Sequence, residues 1–260
     1  MNVVIDRVIR GEQFIKGRSY CESCKHELGT KDLIPLFSYI FLKGKCRYCG
    51  APISKLLPIT ELITALTYSF ITYWYFFLSD FSINSSVFKL ESLLFLLFVY
   101  ILFTALILLF FSDLKYKLIP DIYTIILAVN YIFFALFYFI FKPEIYSYSI
   151  LFTPLSSHLF SALSMLVFFG LLYILSRKKA LGEGDIYLSA VLALYLPLVL
   201  SIVMWFASFL LGAGIGLMLL VIYKKNRKYA VPFGPFLILG FLVALLWGTQ
   251  IVNWYISLLQ

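Results

Sequence analysis

Of the chain's 260 residues 62% are hydrophobic and only 13% charged, against roughly 45–50% and about 25% in an ordinary soluble domain. That composition excludes a soluble globular protein and points to an all-α polytopic membrane protein, most of whose length is consumed by spans of about 20 residues each. The net charge of +8 lies in loops between apolar runs, which assigns it to membrane topology and anionic headgroups and excludes nucleic acid as the partner.

The first 57 residues form a separate module. Its opening, MNVVIDRVIRGEQFIKGR, lacks an apolar core long enough for a cleavable signal peptide. All four cysteines follow, as CESC (Cys21, Cys24) and CRYC (Cys46, Cys49), with twenty-one residues between the pairs. Two Cys-x-x-Cys turns can aim four thiolates at one tetrahedral zinc, and a complete thiolate shell leaves no open position, so the metal is structural. A cytosolic location disfavours two disulfides, and no thioredoxin-like βαβ pattern supports a redox role. His26 could replace a thiolate, but beside four well-spaced cysteines it reads as an exposed loop residue. Between the pairs, DLIPLFSYIFLKGK (Asp32–Lys45) is too short to span and is expected on the membrane surface, against the helices, or as the core of the module.

From residue 58 to 260 the hydropathy pattern predicts about seven spans, at 58–78, 91–111, 121–141, 157–175, 186–202, 204–223 and 235–257, the fifth and sixth separated by a tight turn near Pro197. Alternate connections hold ten, two, three and four Lys or Arg (residues 1–57, 112–120, 176–184 and 224–228), nineteen of the twenty-one; Lys89 and Lys142 fall in the others. The basic side is therefore assigned to the cytosol, and the module with it. The runs Arg177–Lys179 and Lys224–Lys228 read as topology determinants.

Two aspartates occupy that same face, Asp113 in FSDLKYKLIPD and Asp185 in GEGD, each where an apolar run meets a basic loop. Carboxylates are costly at such a boundary, which favours a chemical role, although Asp113 could simply close one helix and Asp185 cap the next. Brought together, they would share a proton near neutral pH and supply the base and the acid of an aspartic protease. Asp121 reads as a helix N-cap, and Glu61, at the start of the first span, is explained as well by the helix dipole as by function. Gly182 and Gly184 would permit close backbone approach or φ values barred to other residues. His158 lies near the outer end of a helix and is not expected to catalyse. No Gly-x-Ser-x-Gly elbow or His-Glu-x-x-His helix supports a serine or zinc protease.

CESC and CRYC, the intervening DLIPLFSYIFLKGKCRYCGAPIS, then PITELITA, FSDLKYKLIPD and GEGD, occur in an order that resembles the bacterial type IV prepilin peptidases, a family of GxGD aspartic membrane proteases. The resemblance implies a peptidase of the bacterial cytoplasmic membrane with Asp113 and Asp185 as its catalytic pair. Its substrates would be type IV prepilins or pseudopilins, cut at the cytosolic face after a short basic leader. It further implies methylation of the new N-terminus with S-adenosylmethionine. The departure is at the start, where NVVIDR (Asn2–Arg7) follows the initiator Met directly while family members carry a membrane helix first; either the chain begins late or it works with seven helices instead of eight. Competing readings are a methyltransferase or pilin-assembly factor without peptidase activity, and a zinc-module scaffold or transporter, which would need ionisable residues near the middle of several spans.

Overall fold

A computed structural model describes residues 1–13, 17–75, 90–141, 155–179, 181–222 and 231–260; Lys89, Lys142 and the Lys224–Lys228 run lie outside the described residues. These residues form nine α-helices and, apart from two isolated bridges, no strand. The chain divides into two units, 1–87 and 88–260.

The first unit begins with α1 (Asn2–Ile9), whose Asn2 side-chain amide donates to the carbonyl of Leu57 at the start of α3 (Leu56–Tyr73). Buried Arg7 donates to the carbonyls of Gln13, Gly17 and Arg18, the last two just ahead of the first cysteine pair. Between the pairs lie one 3-10 turn (Thr30–Asp32) and the five-residue α2 (Phe37–Phe41). Glu61, in the second turn of α3, accepts the Leu36 N–H at 2.9 Å and so fixes the entrance to α2. Phe37, Ile40 and Phe41 remain exposed. Glu61 thus has a local structural task.

The second unit is a helical bundle of α4 (Leu90–Tyr116), α5 (Asp121–Phe141), α6 (Leu155–Leu175), α7 (Glu183–Ala193), α8 (Leu198–Val221) and α9 (Gly234–Leu259). With α3, five of these give six helices long and apolar enough to cross a membrane among the described residues, and the protein is a multi-pass membrane protein. The exception is the fifth expected span. Residues 186–202 do not form one helix: α7 stops after 11 residues, about 16 Å or half a hydrocarbon core, and Pro197 then takes extended backbone (φ −65°, ψ 160°) to start α8. Proline has no N–H to continue the ladder and clashes with the preceding turn.

A helix ending inside the bundle is tolerated where protein surrounds it. Contacts with α5, α6 and α9 surround α7, and Leu188, Leu192 and Ala193 are fully buried. Just past its end, the Tyr195 hydroxyl lies 2.7 Å from the Leu127 carbonyl and 2.9 Å from Asn130 Oδ1, tying α7 to α5, while Asn130 Nδ2 donates to Phe98 of α4. Among the described residues α8 and α9 share the most extensive contact, and it is a close one: a Cβ on Gly240 would lie 2.4 Å from the Met204 carbonyl and 2.1 Å from Ser208 Oγ. Small residues permit such backbone approach between membrane helices.

Candidate active site and metal centre

Asp113 stands in the last turn of α4, as the sequence suggests, and is 5% exposed. The helix closes behind it when Lys117 takes a left-handed φ of 55° and donates its N–H to the Asp113 carbonyl at 2.8 Å. Fully buried Ser112 donates to the Leu118 carbonyl, folding the chain back so that Ile119 faces the bundle. The Asp113 carboxylate reaches α9: its Oδ2 accepts the N–H of Gly234, the first residue of that helix, at 2.9 Å. Helix N-termini offer unpaired N–H groups and a partial positive charge, a suitable seat for a carboxylate.

Asp185 is the third residue of α7, 7% exposed, and its Oδ2 accepts the N–H of Gly182, the residue preceding the helix, at 3.1 Å. The N-cap position that sequence allowed for it belongs instead to Gly182, and Asp185 reaches back from the third helical position to the N–H of that residue. Burial pushes its carboxyl up to about 6, the Gly182 N–H pulls the other way, and the charge of Asp113 pushes it further up. Asp185 thus feels the charge of Asp113. Glu183, their neighbour, is engaged elsewhere, accepting from the Tyr173 hydroxyl at 2.5 Å.

Ile119 joins the two halves. A Cβ on Gly184 would lie 2.9 Å from Ile119 Cβ, and one on Gly234 would lie 3.2 Å from Ile119 Cδ1 and 2.6 Å from Asp113 Oδ2. Close approach, and not unusual φ, is what the glycines provide; Gly182 has ordinary extended backbone (φ −78°, ψ 153°). Asp121 is the first residue of α5 instead of its cap, and Pro120 precedes it. His158 is buried on α6, its ring centroid 5.9 Å from that of Tyr131. Sequence reading missed Gly234, Ile119 and Ser112. The signal for Gly234 was available in VPFGPF, a glycine between two prolines before an apolar run, which is a helix-start pattern.

In the first unit the four cysteine sulfurs lie within 4.8 Å of one another, and Cys21 Sγ is 3.9 Å from Cys49 Sγ. A tetrahedral zinc with Zn–S bonds of about 2.3 Å needs sulfurs about 3.8 Å apart, so the donor set is compatible with zinc. The thiols pull apart in acidity. The Cys24 N–H draws Cys21 down to about 6; the Ala51 N–H also favours the Cys49 thiolate, but burial and the other three sulfurs outweigh it and push Cys49 up to about 12. Holding all four as thiolates so close together calls for a cation.

Two equivalent knuckles build this cluster. In each, the first cysteine accepts at its carbonyl from the residue four on (Lys25, Gly50) and donates to the carbonyl of the residue five on (His26, Ala51). The residue four on has left-handed φ, 58° at Lys25 and 69° at Gly50, and bridges Tyr20–Glu27 and Lys45–Pro52 close the two turns in the same register. His26 is stacked on Tyr48, with ring centroids 3.7 Å apart, and no replacement ligand is needed.

Comparison with known proteins bears on both parts. Residues 1–76 match the model of the bacterial peptidase A24 N-terminal domain and residues 100–217 that of the type IV leader peptidase family. A protein of Legionella pneumophila named prepilin leader peptidase/N-methyltransferase is 33% identical over 249 residues, covering 92% of this chain and 76% of its own. The chain belongs to the type IV leader peptidase family. Proteins with the same name from Pseudomonas aeruginosa (31% identical, 92% of this chain and 74% of theirs) and Bacillus subtilis (28%, 94% and 87%) are also similar. No solved structure matches.

Proposed function

We propose that this protein is a prepilin leader peptidase and N-methyltransferase, in which Asp113 and Asp185 form the catalytic pair. The observation that carries the reading is two buried carboxylates, on different helices, each held by one backbone N–H at a helix start, with the charge of Asp113 felt at Asp185. Like charges so placed retain one proton between them. The ionised carboxylate takes a proton from a water molecule as its oxygen bonds to the scissile carbonyl carbon. The protonated partner gives its proton to the departing amine as the C–N bond breaks, leaving a carboxylic acid and a free N-terminus.

Residues 1–57 make up a zinc module and 58–260 the peptidase domain. Cys21, Cys24, Cys46 and Cys49 would hold one zinc, which when bound fixes the fold of a module with little core of its own. The distribution of basic residues among the connections supports a cytosolic position for the module and both aspartates at the bacterial cytoplasmic membrane, the side on which prepilins or pseudopilins would present their leaders. S-adenosylmethionine is the methyl donor that the relatives' name entails; no residue of this chain is assigned to it.

The test is co-expression with a candidate prepilin and mass analysis of the pilin N-terminus, which reads cleavage and methylation together. The parent should remove the leader, Asp113→Asn and Asp185→Asn should each leave it intact while inserting normally, and the purified protein should carry about one zinc per chain. Methylation by a parent that never cuts would favour the methyltransferase without peptidase activity.

A further inference from the structure

Each aspartate accepts its hydrogen bond from an amide whose preceding residue points elsewhere. Gly182 follows Leu181 and Gly234 follows Phe233, and both Leu181 and Phe233 line one cavity of about 650 Å³ between the end of α6, the middle of α8 and the start of α9. That volume falls in the range that proteins use to bury small ligands or several side chains. Its lining is apolar apart from Ser176. The inner wall is aromatic, with Phe233 held 5.1 Å from Phe209 and 6.4 Å from both Phe169 and Phe236, ring centroid to centroid.

The lining also includes Leu175 and Phe209, which are exposed on α6 and α8, two helices long enough to span. The cavity is therefore lined both by exposed residues of two helices long enough to span and by the two residues that directly precede the amides holding the carboxylates. Gly212 keeps it open: a Cβ there would meet Phe236 at 3.5 Å and Phe233 at 3.6 Å, ordinary contact, so any longer side chain would extend into the space.

We infer that this cavity is the subsite for bulky apolar side chains on the membrane side of the scissile bond, and that Gly212, Phe209 and Phe233 set the size accepted there. The inference rests on the peptidase reading. A substrate whose apolar segment lies in the bilayer and whose leader lies in water can present its bond at the carboxylates only if the residues next to the bond leave lipid, and an apolar cavity at that depth removes the cost of doing so.

The experiment uses the full chain in lipid nanodiscs with two prepilins that differ only in the residue following the scissile bond, one bulky and apolar, the other alanine. Gly212→Leu should lower kcat/KM for the bulky substrate at least about tenfold and leave the alanine substrate within about threefold of the parent, as expected when a hydrophobic pocket is filled. p-Benzoylphenylalanine at Ala213 should crosslink to the prepilin on illumination. Equal loss on both substrates, no loss on either, or crosslinking to lipid alone would overturn the inference. A parent enzyme that cuts neither substrate would instead count against the peptidase itself.

Discussion

Asp185, 7% exposed, carries a carboxyl pushed by burial from an ordinary 3.8 up to about 6, so its ionised form is a burden on the folded state. Its folded value lies above the unfolded one. The stability it contributes is therefore fully present below about pH 4 and is lost as pH rises through about 6. Asparagine keeps an acceptor for the Gly182 N–H without the charge. Asp185→Asn should raise thermal stability over the parent at pH 8, by up to about 3 kcal/mol, with the gain shrinking toward pH 4; equal unfolding temperatures at both pH values would contradict it. The glycines around the pair make a second prediction. A Cβ at Gly234 would stand 2.6 Å from Asp113 Oδ2 and one at Gly184 would stand 2.9 Å from Ile119 Cβ, whereas one at Gly182 would touch Asp185 Oδ2 at 3.4 Å. Gly234→Ala should cost leader cleavage on the order of a hundredfold, since an ångström of displacement at the chemistry has that effect. Gly184→Val should cost cleavage likewise, while Gly182→Ala stays close to the parent in the same assay.

The two cysteine knuckles repeat one backbone design with different residues at the left-handed position. Gly50 suits it, but Lys25 sits there at φ 58° against the steric preference of an L side chain, about 1 kcal/mol or more. Lys25→Gly should hold zinc more tightly against a competing chelator. Gly50→Val, strained at φ 69°, should lose zinc more readily and expose its thiols to labelling. The opposite order of chelator resistance would mean that the knuckles do not bind one metal between them.

Across the bundle, the loop after α4, the start of α7 and the start of α9 meet at one end, through Ile119 against Gly184 and Asp113 against Gly234. If the basic residues fix which end that is, trypsin should cut after exposed Lys117 and within Arg177–Lys179 in inverted membrane vesicles and spare both in intact spheroplasts. Cleavage of the two sites from opposite sides would break the topology. The short α7 is as much part of this arrangement as the long spans, because Tyr195 and Asn130 set its depth against α5 and α4.

The sequence by itself determined the class of protein and the cysteine cluster and singled out the two aspartates as candidates, because each rests on a local property: apolar length, paired Cys-x-x-Cys spacing, and acids at the ends of apolar runs. It also contained the family's motifs in order. Only the tertiary structure decided that residues 186–202 are no span, since an 11-residue helix is stable there through burial against α5, α6 and α9, which hydropathy along the chain does not register. It alone brought Gly234, 121 residues from Asp113, to the carboxylate, and set Ile119 between the glycines. Those contacts join segments far apart in the chain, and no periodicity encodes such a meeting.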